Sequence, residues 1–139
     1  MPTMDNLDKI YKDHFKDTFD KLGFELYESL RGQMKFKNDS FRLQLLDDSG
    51  LVETDISPLF GQEEFRGIEM YNSLLTLNAS SEKLSDSERK KILGTRLDYN
   101  SQTIFLTRNF ERLQVLLNKD NFKRTLREID AIGDERFKY

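Results

Sequence analysis

The strongest constraint on this chain is a change of hydrophobic period at Gly23. Upstream of it, Leu7, Ile10, Tyr11, Phe15, Thr18, Phe19 and Leu22 recur every three or four residues, with Asp, Lys and His14 between them. Positions so spaced share one stripe of an α-helix. The spacing predicts an amphipathic helix of four to five turns. Asp5 or Asn6 would cap its start and Gly23 would stop it.

Downstream the period falls to two. FELYESLRG puts Phe24, Leu26, Glu28 and Leu30 on one side, an imperfect alternation. Met34 and Phe36 then alternate with Lys35 and Lys37; Phe41, Leu43 and Leu45 with Arg42 and Gln44; Val52, Thr54 and Ile56 with Leu51, Glu53 and Asp55. Asn38-Asp39 and Asp47-Asp48-Ser49-Gly50 are the turn signals between these runs. Short alternating runs joined by such turns predict an antiparallel meander of three or four strands, with one face packed and one partly wet. Pro58 cannot donate to a ladder, so it is expected outside the sheet or at its edge.

Helical spacing returns after the apolar loop Leu59-Phe60-Gly61. Phe65, Ile68, Tyr71, Leu74, Leu75 and Asn78 predict a helix from Gln62 to about Ala79, with Gly67 as a weak point inside it. SSEKLSDS at 80–87 reads as an exposed loop, with Asp86 or Ser87 capping the next helix. Ile92, Leu93, Leu97, Ile104, Phe105, Arg108, Leu113, Leu116 and Leu117 continue a helical pattern. Within it, Thr103–Leu106 would suit a buried strand as well as a helix; the lack of flanking Gly and Pro favours helix. Phe122, Leu126, Ile129 and Ile132 predict a last helix ending at Gly133-Asp134, with Phe137 and Tyr139 in the tail. The expected architecture is therefore α+β: an N-terminal helix, the meander, then three or four helices packed on one face. With 139 residues and no internal repeat, a single domain over 1–139 is expected.

Composition excludes whole classes of chemistry. Cys is absent and His14 is the sole histidine, so thiol catalysis and a transition-metal site lack their ligands. The seven glycines are scattered, and no phosphate-cradling glycine loop occurs. Asp47-Asp48-Ser49-Gly50 lacks the spaced ligands and closing Glu of a calcium loop. His14, between Asp13 and Asp17, is read as a solvated polar-face residue rather than a general base. No catalytic residue, metal or cofactor is expected, and the reading leans against an enzyme. No apolar run is long enough to span a bilayer, and the charged opening MPTMDNLDKIYKD is expected not to act as a secretory signal. Together these point to a cytoplasmic location.

Charge narrows the choice of partner. Net charge is −3, and residues 1–60 carry 12 acidic against 8 basic side chains. The basic clusters, Arg89-Lys90-Lys91 with Arg96, and Lys119, Lys123, Arg124 and Arg127, are interleaved with acids. That pattern argues against nucleic acid as the partner. The acidic and aromatic residues Glu25, Tyr27, Asp39, Asp47, Asp48, Glu53 and Asp55 are the candidate face for a basic protein.

The helix ending in LGF, followed by strands carrying FKNDSFRLQLLDDSG and VETDISPLFG, resembles the layout of small bacterial toxin-immunity proteins over residues 7–79. The resemblance lies in layout and carries no residue-specific motif. It implies a protein–protein interaction module that binds and occludes a cognate toxin domain. Two other classes stay open at this point: a small-ligand-binding protein or enzyme with a pocket between sheet and helices, and a structural or homo-oligomeric subunit.

Overall fold

A computed structural model describes residues 6–138. The Asp5 cap and Tyr139 lie outside the described residues. Helix α1 covers residues 6–21, as Asn6–Ile10 and Lys16–Lys21 in α-helical geometry around a π-helical turn, Tyr11–Phe15. Asn6 is its first helical residue. Leu7, Phe15 and Phe19 are fully buried, as the stripe requires. The outer side carries Lys9–Asp13 and Lys12–Asp8 ion pairs at i,i+4, both 2.9 Å, worth a few tenths of a kcal/mol each at such exposed positions. His14 is also exposed, its ring 4.9 Å from that of Tyr99. Gly23, at φ +79°, turns the chain out of the helix, a conformation that costs glycine nothing.

Strands β1 (Glu25–Leu30), β2 (Gln33–Lys37), β3 (Phe41–Asp48), β4 (Leu51–Pro58) and β5 (Arg66–Gly67) form one antiparallel sheet in sequence order. Met34 and Phe36, Phe41, Leu43 and Leu45, and Val52, Thr54 and Ile56 all point inward and are buried. The expected alternation of β1 is corrected: its pairing with β2 slips between Leu26 and Glu28. One extra residue at a bulge reverses the side-chain parity. Leu26 thus stands opposite Phe36, on the inner side, while Glu28 and Leu30 stand opposite Lys35 and Gln33. Of the two places expected for Pro58, outside the sheet or at its edge, it takes the second, as the last residue of β4, opposite Phe41. β5 reaches only Asp55 and Ile56, so β5 asks for no hydrogen bond from Pro58.

The helices are α2 (Ile68–Ala79), α3 (Asp86–Leu93), α4 (Tyr99–Leu116) and α5 (Phe122–Arg136). The start of α2 is corrected from Gln62 to Ile68. Gly67 is extended (φ −62°, ψ 144°) and pairs with Asp55, so Arg66-Gly67 completes the sheet. Ser85, rather than Asp86 or Ser87, caps α3; its hydroxyl accepts from Glu88 N while the Glu88 carboxylate accepts from Ser85 N. This reciprocal pair is worth about 1 kcal/mol. The pattern from Ile92 to Leu117 is two helices, because the chain leaves helical geometry after Gly94 and restarts at Asp98, whose carboxylate accepts from Ser101 N at 2.7 Å. Thr103–Leu106 is helical. α5 runs past Gly133 to Arg136. A Cβ on Gly133 would stand 3.3 Å from Met70 Cε, so this glycine marks a close approach to α2 rather than a helix end.

The helices and the inner sheet face bury one continuous cluster of side chains. Its centre is aromatic: Phe19 meets Phe36 edge-on at 5.0 Å, Phe24 meets Phe41 at 5.3 Å, and Phe41 meets Phe110 at 5.3 Å. Truncating such a ring costs about 3–5 kcal/mol. Phe60, in the 59–65 loop, stays outside this cluster: it lies 37% exposed, edge-on to Phe122. Phe65 is half-buried, beneath the Lys35 ammonium.

Candidate interaction face

Because successive strand residues point to opposite sides, the register defines a second face that the core does not use. Across it runs the row Glu28, Lys35, Gln44, Asp55. Lys35 Nζ lies 2.9 Å from Glu28 and 2.7 Å from Glu63, and these two hydrogen bonds raise its pKa. The Glu63 carboxylate also accepts from the Tyr27 hydroxyl at 3.4 Å. Gln33 donates to Gln44, whose own Nε2 donates to Asp55 at 3.0 Å. This ladder ties β2, β3 and β4 together on the wet side, and the 59–65 loop folds over one part of it.

The next row, towards the hairpin tips, is different. Leu30, Gln33, Leu46 and Glu53 face outward together, and Leu51 lies one step further, opposite Asp48. Leu30, Leu46 and Leu51 are 54%, 38% and 72% exposed. Scattered surface leucines mean little, but three on adjoining rows of one sheet face make a patch. Acids border it: Asp48 across from Leu51, Glu53 across from Leu46, Glu28 two residues before Leu30 and Asp55 two residues beyond Glu53. Glu53 and Asp55 are partly buried. Burial, with Asp55 and Glu69 nearby, pushes Glu53 up to about 7; burial pushes Asp55 up to about 6 against the stabilising Gln44 bond. The Glu53 carboxylate sits over the backbone of Gly67, where a Cβ would lie 2.2 Å from its Oε1.

Five of the seven residues singled out in the sequence share this outer face: Glu25, Tyr27, Asp48, Glu53 and Asp55. Asp47 has the inward parity of Val52, its register partner, and its Oδ1 accepts from Gly50 N at 2.9 Å. It serves the turn. Asp39 lies in the β2–β3 turn at the far end, where it meets Glu25 across a groove of about 750 Å³. Sequence reasoning missed the leucines. Leu30, Leu46 and Leu51 flank turns in alternating runs, and their outward parity was the available signal. Leu30 was hidden by the bulge, and Leu46 by the apparent apolar pair Leu45-Leu46.

Among the described residues no group of three or more His, Asp or Glu side chains is placed to hold a metal ion, and no helix is long and apolar enough to cross a membrane. No protein-family model, curated protein or solved structure matches this chain.

Proposed function

We propose that this chain is a protein-binding module whose outer sheet face docks a basic partner, in the manner of an immunity protein that occludes a toxin domain. One observation carries the reading: exposed Leu30, Leu46 and Leu51 form an apolar patch bordered by Asp48, Glu53 and Asp55 on a sheet face outside the core. Covering the leucines supplies affinity at about 25 cal/mol per Å² of apolar surface buried. The surrounding acids accelerate encounter with a cationic surface and reject acidic competitors. The mechanism is occlusion by shape and charge.

Affinity capture from native lysate, read by mass spectrometry, tests it. The wild-type chain is expected to retain one stoichiometric partner with a basic domain. Leu46→Lys/Leu51→Lys should lose it while keeping the wild-type melting temperature. Asp48→Asn/Glu53→Gln/Asp55→Asn should slow association and flatten its salt dependence. Folded variants that capture the same partner at the same rate would refute the reading.

A further inference from the structure

At the opposite end of the sheet from the leucine patch lies the groove of about 750 Å³ between α1, the β2–β3 turn, the 59–65 loop and α4. Its walls are held from three directions. Asn38 Nδ2 donates to the Leu22 carbonyl at 3.0 Å, tying the turn to the end of α1. Gln114 Nε2 donates to Ser40 Oγ at 2.7 Å, tying the turn to α4. Arg42 Nη2 donates to the Leu59 carbonyl at 2.7 Å, tying the loop to β3. Asn38 Oδ1 also accepts from the backbone N of Ser40 and of Phe41, at 2.8 and 3.0 Å, so the turn itself has little freedom. A groove braced in this way needs no ordering when something enters it.

The lining has two characters. Leu22, Leu59 and Phe110 are half-buried and present apolar surface. Glu25, at the start of β1, and Asp39, in the turn, bring two carboxylates from separate elements. Neither has a hydrogen-bond or ion-pair partner among the described residues. The one cation of the lining, Lys37, holds its ammonium 5.5 Å from the Tyr27 ring centroid.

We propose that this groove receives an arginine side chain of the basic partner, its aliphatic stem against Leu22, Leu59 and Phe110 and its guanidinium between Glu25 and Asp39. The inference rests on the outer-face reading for the source of the arginine. The chemistry is specific. A long side chain with an apolar stem and a charged head matches a groove with apolar walls and an acidic rim. A planar fork with five donors reaches two separated carboxylates at once, which a compact ammonium does less well. The groove and the leucine patch would then be two contacts of one interface, at the two ends of the same sheet.

The test is an NMR titration of the isotope-labelled full chain at low ionic strength with the peptide acetyl-Gly-Arg-Gly-amide. Saturable shifts are expected at the amides of Gly23, Asp39 and Ser40 and at the side-chain amides of Asn38 and Gln114. The same peptide with citrulline, an uncharged isostere, should bind at least about tenfold more weakly, as should the arginine peptide with Glu25→Gln/Asp39→Asn. Absence of saturable shifts, shifts centred elsewhere, or equal binding by citrulline would overturn the proposal. Leu46→Lys/Leu51→Lys should leave the peptide titration unchanged. Failure of the outer-face reading, seen in partner capture, is thereby separated from failure of the groove, seen in the titration.

Discussion

Gln102 stands beside Thr54 as a missing strand would. Its Oε1 accepts from the Thr54 backbone N at 2.9 Å and from the Thr54 hydroxyl at 2.7 Å, while its Nε2 donates to the Val52 carbonyl at 3.3 Å. Tyr99 adds a fourth bond, accepting from Val52 N at 3.3 Å. β5 takes over at Asp55 and Ile56. One edge of the sheet is thus closed by two α4 side chains and a two-residue strand. The β1 edge is treated differently: all six of its residues are exposed, and it is interrupted by a bulge and carries Glu25 and Glu28, devices that discourage strand addition.

Gln102→Ala should therefore behave as a core mutation although it removes a polar group. It strands the buried Thr54 amide and hydroxyl, and each unsatisfied group costs about 1–3 kcal/mol. A loss of about 3 kcal/mol in chemical denaturation is expected. Gln102→Ala together with Thr54→Val should cost less than the sum of the two single changes, because the hydroxyl no longer needs a partner.

The outer face should make stability depend on pH in an unusual direction. Glu53 and Asp55 have folded pKa values raised to about 7 and about 6, from ordinary values of 4.5 and 3.8. Between the unfolded and folded values the native state holds more protons than the unfolded chain, so stability falls as pH rises through that window. The penalty is absent below the unfolded values and complete above the folded ones. The denaturation midpoint should be higher near about pH 5 than near about pH 8, and Glu53→Gln/Asp55→Asn should flatten that slope by stabilising the alkaline side. Asp13, Glu88 and Asp98, all lowered by hydrogen bonding, act in the opposite sense and only at more acidic pH. A midpoint that rises steadily from about pH 5 to about pH 8 would contradict the placement of Glu53 and Asp55.

Two glycines should answer oppositely to alanine. At Gly67 the new Cβ would meet Glu53 Oε1 at 2.2 Å, so the carboxylate must swing away; a loss of about 1 kcal/mol is expected, shrinking in a Glu53→Ala background. At Gly133, inside α5, the nearest neighbour is the flexible Met70 terminus at 3.3 Å. The helical preference of alanine, about 1 kcal/mol over glycine, should outweigh a small shift of that methyl. Thermal melts of the wild type, Gly67→Ala, Glu53→Ala, Glu53→Ala/Gly67→Ala and Gly133→Ala would show both effects.

The features legible in the sequence were those that local spacing and turn residues encode without interruption. The stripe from Leu7 to Leu22, the inward sets on β2, β3 and β4, and the turns at Asn38-Asp39 and Ser49-Gly50 follow from periods of 3.6 and 2 and from residues suited to turns. Those are local properties, and the α+β layout came with them. Tertiary structure decided what depends on residues far apart in the chain. Gly67 looked like an interior helix glycine until Asp55 gave it a strand partner. Gly133 looked like a helix end until Met70 packed over it. Leu46, left unplaced by the alternation of Phe41, Leu43 and Leu45, was turned outward by its register with Gln33 and Glu53, and Glu25 and Asp39 came to line one groove only when β1 paired with β2 and put Glu25 opposite Lys37. The physical reason is common to all four. Periodicity says which side of an element a residue occupies, whereas the partner on that side is chosen by the packing of the whole chain.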